Sequence, residues 1–252
     1  MNIAIVTGAS SGMGREFVKQ LDRDEIFDEI WVIARRRDRL EALADTTRAK
    51  IRPVPLDLAD ASCMETYAAL LEKEKPDVRV LVCASGYGRF GAVTEIPLAV
   101  QTGMIDLNVR ALTEMTYLTL PYMKSGARIF ELGSLSAFQP VPYICVYGAT
   151  KAYVLSFSRA LGVELAPRGI RVMAVCPGWV KTEFFDRAVT DDTITYYNRY
   201  YTAEEVVTRA MRDMKKGKDV SVCGKQIRAQ VLLTKLLPHR LVMKIWCRQQ
   251  KK

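Results

Sequence analysis

Seven short apolar runs punctuate the chain, at positions 3–7, 30–34, 51–56, 80–83, 128–132, 171–175 and 220–222. Most lack the polar alternation of a half-exposed strand, so they read as strands covered on both faces. Between them lie longer stretches of helical spacing, near 12–23, 38–46, 61–74, 98–123, 147–166, 203–216 and 227–236. This alternation predicts βαβ units around a parallel sheet, an α/β fold. A chain of 252 residues suits one such domain covering 1–252, with no internal repeat or low-complexity linker to divide it.

Two segments depart from the rhythm. Residues 184–201 carry Phe184, Phe185, Tyr196, Tyr197, Tyr200 and Tyr201 directly after the sixth strand. Insertions at the C-terminal end of a strand are where α/β proteins build pockets, so 184–201 is predicted to be a substrate lid. Residues 227–252 form a basic amphipathic extension, with Leu232, Leu233, Leu236 and Trp246 set among lysines and arginines. Pro238 divides it into two short helices.

Charge narrows the possibilities further. The formal net charge is +9, and the surplus gathers at Arg35-Arg36-Arg37, at 215–218 and in the tail. No recognition helix or RNA-module signature stands beside these clusters, so nucleic acid is not expected as a partner. The six cysteines are scattered without a CxxC pair, which gives neither a metal site nor a disulfide framework. The first apolar run starts at residue 3, and no stretch approaches the length of a membrane span. A reducing, cytoplasmic setting is expected. The single histidine, His239, sits beside Pro238 as a surface or helix-end residue, so acid–base chemistry falls to other groups.

A glycine turn follows the first strand as Thr7-Gly8-Ala9-Ser10-Ser11-Gly12-Met13-Gly14, and a helix follows the turn. Backbone N–H groups and the positive helix end there suit a pyrophosphate, with Gly8, Ser10, Ser11, Gly12, Met13 and Gly14 around it. Dinucleotide sites for NAD usually end their second strand in a carboxylate that holds the ribose 2′-OH. Here that strand ends in Ala34 and is followed by Arg35 and Arg36. Guanidinium groups suit a 2′-phosphate, so NADP(H) is expected over NAD(H), with Arg35 the first candidate and Arg36 the second. Asp57, after the third strand, is placed to accept from the adenine amino group.

Tyr147 and Lys151 stand four apart at the start of a helical stretch, on one face. A free phenol titrates near 10 and is a poor base at neutral pH; a neighbouring cation favours its anion. Ser134 lies thirteen residues before Tyr147 at the end of the fifth strand, where a hydroxyl can hold a substrate oxygen as charge develops. Ser136 is the rival serine, two residues deeper in the loop.

TGASSGMG near the N-terminus, the spacing of Ser134 to Tyr147, and the YGATK segment together resemble the short-chain dehydrogenase/reductase family. The likeness runs to about Gly224 and includes Pro177-Gly178-Trp179-Val180-Lys181-Thr182. It implies a doubly wound, Rossmann-like parallel sheet of about seven strands in the order 3-2-1-4-5-6-7. It also implies Tyr147 as general acid/base, Ser134 as the group polarising the carbonyl, and Lys151 as a ribose ligand that depresses the phenol. Asn108 matches the family's helix asparagine, which supports a proton relay to the lysine. Val180 and Thr182 match contacts to the nicotinamide, and Leu58, Ala84, Gly86, Pro177 and Gly178 complete the implied cofactor set. One motif departs. The family's Asn-Asn-Ala-Gly is replaced by Cys83-Ala84-Ser85-Gly86, from which a loss of side-chain bonds between the central strands is expected.

The expected function is therefore NADP(H)-dependent hydride transfer to or from a ketone or secondary alcohol, with no metal. A non-catalytic cofactor-binding scaffold is the alternative, although the full set of Asn108, Ser134, Tyr147 and Lys151 argues against it. The tail is expected to pack on the pocket or on another subunit, ahead of a membrane-surface role in a reductase of lipid-like substrates. The helix at 147–166 is apolar nearly all round, and in the resembled family it builds the oligomer, so a homodimer or homotetramer is expected.

Overall fold

The computed structural model describes residues 1–252. Its main sheet has seven parallel strands: β1 (Asn2–Thr7), β2 (Glu29–Ala34), β3 (Lys50–Pro55), β4 (Asp77–Cys83), β5 (Arg128–Leu132), β6 (Arg171–Val175) and β9 (Val220–Ser221). They lie in the order β3-β2-β1-β4-β5-β6-β9. Counted within this sheet alone, that is 3-2-1-4-5-6-7, the doubly wound arrangement. The remaining two, β7 (Trp179–Val180) and β8 (Tyr200–Tyr201), pair with each other as a separate short ribbon.

The continuous apolar runs explain the layers. In β1, Ala4 and Val6 face one core while Ile3 and Ile5 face the other, and all four are fully buried. The first core receives α1 (Gly12–Asp24), α8 (Ala203–Lys215) and α9 (Lys225–Leu236) through Phe17, Leu21, Val207, Met211 and Ile227. The second receives α3 (Cys63–Glu74), α5 (Ala111–Thr119) and α6 (Cys145–Leu165) through Tyr67, Leu71, Met115, Val154 and Leu161. A strand sandwiched this way has no solvent face, hence no polar alternation. β3 carries Pro53 and Pro55, which cannot donate to a ladder, and it is the edge strand.

The stretch at 98–123 is interrupted where the sequence reads as one helix. α4 (Leu98–Ile105) passes through a π turn at Asp106–Arg110 before α5 begins. Such a turn displaces the hydrogen-bond ladder and is common at functional sites. α8 starts with a capping box in which Thr202 and Glu205 satisfy each other's backbone N–H at 3.1 and 2.8 Å. After α9, Pro238 breaks the helix and α10 (His239–Gln249) follows, with His239 exposed at its first position. No helix is long and apolar enough to cross a membrane.

Candidate active site

All sheet strands end on one edge, and chain crossovers leave in opposite directions from β1 and β4. The cleft of a doubly wound fold opens at that switch point. Here the first turn lies at its floor. Gly8 and Gly12 adopt φ of +66° and +52°, which an L side chain rarely tolerates, so only glycine allows this turn. Ser11 precedes α1 in extended conformation without a side-chain cap, and the first turn of α1 holds no acidic residue. The initial N–H groups of a helix have no intrahelical partner, so this end offers donors and positive potential to an anion. These residues fit a nicotinamide dinucleotide's pyrophosphate.

The arginines flank the same turn. Arg36 donates to Ser10 Oγ at 3.0 and 3.3 Å and pairs with Glu183 at 2.8 Å. Arg35 is mostly exposed and has only the Asp57 carboxylate nearby, at 3.9 Å. Asp57 in turn accepts from the Ala59 N–H at 3.1 Å. Leu58 has its side chain in the core, which leaves only its backbone for a ligand.

The chemical groups converge further along the cleft. β5 ends at Leu132, and Ser134 two residues on caps a short 3-10 turn, accepting from Ser136 N–H at 3.2 Å. α6 carries Tyr147 and Lys151 on the face that packs over this turn. The Lys151 ammonium donates to the Leu132 carbonyl at 2.7 Å and lies 5.7 Å from the centre of the Tyr147 ring. Asn108, in the π turn, is fully buried and clamps the Tyr87 backbone: its amide donates to Tyr87 O at 2.9 Å and its carbonyl accepts from Tyr87 N–H at 3.1 Å. It also donates to Thr150 Oγ1 at 3.0 Å. A methyl group added to Gly86 would stand 2.8 Å from Asn108 Oδ1 and 3.4 Å from Lys151 Nζ, so all three residues meet at one point.

One cavity of about 390 Å³ joins these groups. Met13, Ala84, Gly86, Pro177, Gly178, Val180 and Thr182 line it, together with Ser134, Tyr147 and Lys151. Ser136, the rival serine, also lines it; it is nearly buried and its hydroxyl has no protein partner. The segment at 184–201 is held near both ends by the β7–β8 ribbon. Its Phe184 ring lies 5.5 Å from Tyr147 and 6.3 Å from Phe90, within an aromatic cluster that includes Trp179, Phe185 and Tyr197.

The C-terminal extension forms another wall, the main element that sequence reasoning left undecided. Leu233, Leu237, Val242, Ile245 and Trp246 line the cavity. The Trp246 indole donates to Pro142 O at 3.0 Å, and Gln250 Oε1 accepts from the Thr195 and Tyr196 N–H groups at 2.9 Å each. Gln139, Val141 and Ile144, from the segment before α6, were also missed as lining residues. Only their position between Ser134 and Tyr147 could have signalled them.

Two expectations change. Lys151 was expected to depress the Tyr147 phenol, yet burial raises the phenol to about 12, with only a Ser134 hydrogen bond opposing. The same burial lowers Lys151 to about 8. The phenol thus stays protonated, because removal from water penalises its anion more than the Ser134 hydrogen bond favours it. The central strands were also expected to lose side-chain linkage at Cys83-Ala84-Ser85-Gly86. Instead Thr7 Oγ1 accepts from the Ser85 N–H at 3.0 Å, linking β1 to the end of β4. Thr116 donates to the buried Glu131 carboxyl at 2.8 Å and lies 3.8 Å from Cys83 Sγ. Burial pushes Glu131 up to about 8, although hydrogen bonds and the Lys151 charge pull it down.

A glycine turn against an open helix end, joined by one cavity to a buried lysine, a phenol and a serine, defines a dinucleotide-dependent oxidoreductase. The short chain dehydrogenase family model matches residues 2–193, and the chain belongs to that family. Among its relatives is sulfoacetaldehyde reductase 2 of Chromohalobacter salexigens, 32% identical over 73% of this chain and 74% of that protein. Among solved structures, a short-chain dehydrogenase from Sphingobium yanoikuyae in complex with NADPH is 26% identical, with a TM-score of 0.78 over 88% of this chain and 87% of that one. One from Burkholderia phymatum in complex with NAD shares the fold at 21% identity, with a TM-score of 0.79 over 92% of each chain. The fold therefore accommodates either nucleotide.

Proposed function

We propose that this oxidoreductase uses NADP(H) and transfers hydride between the nicotinamide and a ketone or secondary alcohol on a bulky apolar substrate. The observation that carries the reading is the meeting of Tyr147, Ser134 and Lys151 on the wall of a cavity in which 18 of 31 lining residues are hydrophobic. When bound, the nicotinamide supplies or accepts the hydride. In reduction, Tyr147 gives its phenolic proton to the carbonyl oxygen, and the Ser134 hydroxyl donates a hydrogen bond to that same oxygen. The Lys151 cation stabilises the phenolate left behind. Asn108 positions the Tyr87 backbone and α6 through its bonds to Tyr87 and Thr150.

The arginines support NADP(H). Arg36 is already engaged by Ser10 and Glu183, whereas Arg35 stands exposed with one weak partner, which favours Arg35 as the 2′-phosphate ligand. The outer side of α5 and α6 leaves Tyr117, Tyr153 and Val163 exposed, which supports assembly into a homodimer or homotetramer through that face. The reading is tested by NADPH oxidation against a series of ketones of increasing apolar size. It expects kcat/KM to rise with size until the cavity is filled. Turnover confined to small charged carbonyls contradicts it.

A further inference from the structure

The chain's surplus charge is concentrated beyond Asp219. From Val220 to Lys252 there are eight Lys and Arg residues and no Asp or Glu, against a net charge of +9 for the whole protein. None of the eight takes part in an ion pair, although lysines and arginines throughout the rest of the chain form many. This basic region occupies the two helices that wall the cavity. On α9, Leu232 and Leu236 are 60% and 73% exposed and lie one turn apart, beside Arg228 and Lys235. On α10, Leu241 and Ile245 repeat the arrangement beside Arg240, Lys244 and Arg248. The inner faces of the same helices are occupied: Ile227 and Val231 pack in the core, while Leu237 and Trp246 line the cavity.

We propose that the outer face of α9 and α10 docks on an anionic lipid surface, with the cavity mouth turned toward the bilayer. The proposal rests on the apolar-substrate reading above only for its purpose; the docking itself stands on the face. Exposed leucines flanked by unneutralised lysines and arginines match an interfacial helix pair, whose apolar residues enter the acyl boundary while cations meet headgroup phosphates. A second copy of this chain is a poorer occupant, because two such faces would oppose five cations with five more. Leu233 and Ile245 sit where the lining of the cavity reaches the outer surface, which gives an apolar substrate a path from the lipid.

The test is co-sedimentation of the full chain with phosphatidylglycerol–phosphatidylcholine vesicles and with phosphatidylcholine vesicles. Binding is expected to the anionic vesicles alone, to weaken in high salt, and to fall roughly tenfold or more in Lys235→Glu/Lys244→Glu. Leu236→Ser is expected to weaken it as well, while NADPH oxidation with a water-soluble ketone is unchanged in all variants. Absence of binding, equal binding to neutral vesicles, or indifference to these substitutions overturns the proposal. So does a dimer that Lys235→Glu/Lys244→Glu strengthens in a protein that ignores vesicles. Vesicle binding without any ketone turnover would leave the docking intact and count against the catalytic reading instead.

Discussion

The Lys151 ammonium donates to the carbonyl of Leu132 at 2.7 Å, and this bond registers α6 against the end of β5. Tyr147 is one helical turn before Lys151, and Ser134 is two residues beyond Leu132. One charge-assisted bond therefore fixes the phenol and the serine relative to each other.

The charge on Lys151 sets a pH limb. Its value is lowered to about 8 by burial, so the cation is present below that pH and lost above it. The phenol, raised to about 12, stays protonated throughout this range. Reductive kcat/KM is expected to decline as pH rises through about 8, and Lys151→Arg should move the decline upward because a guanidinium does not titrate there. An identical limb in Lys151→Arg would assign it to another group.

Glu131 couples to Lys151 through its charge, and it also acts on stability. Its folded value of about 8 lies above its ordinary 4.5, so the folded state binds an extra proton between those pH values. Its contribution is present below about 4.5 and is lost as pH rises through about 8, amounting to a few kcal/mol at most. Glu131→Gln keeps the Thr116 bond and removes the titration. Urea melts should show wild-type stability falling relative to this variant across that window; parallel pH profiles would contradict the assignment.

Cofactor selection falls to Arg35. Arg35→Ala is expected to weaken NADPH binding about tenfold or more and to leave NADH nearly unaffected, as measured by fluorescence titration. Equal losses for both nucleotides would show that the arginine does not meet the 2′-phosphate.

Much of this was legible in the chain itself, for local reasons. β5 and β6 match the apolar runs at 128–132 and 171–175 residue for residue, because strands covered on both faces leave a mostly hydrophobic signature without regular polar alternation. The glycine turn and the pair Tyr147 and Lys151 were readable because their geometry follows from spacing within one element. The tail was not. An amphipathic segment records that one face is buried and leaves its partner open; Gln250 meets Thr195 and Tyr196 across 55 and 54 residues. The link between Cys83, Thr116 and Glu131 was hidden in the same way, since it joins β4, α5 and β5. The π turn at Asn108 gives no periodic cue at all, as a single extra residue barely shifts the helical pattern.

Gln250 joins the tail to the 184–201 segment. It is 2% exposed, and its loss would leave the Thr195 and Tyr196 N–H groups without their acceptor. Gln250→Ala is expected to raise KM for a bulky ketone several-fold with kcat little changed, while a small ketone is indifferent. A fall in kcat alone for both substrates would mean that this link does not shape the pocket.

Tyr147 carries the central claim, and its single oxygen is the most direct place to test it. Tyr147→Phe should retain NADPH affinity within about twofold while losing about 100-fold or more of its NADPH-dependent ketone reduction. Turnover within a few-fold of wild type, with the cofactor bound normally, would show that the proton comes from elsewhere.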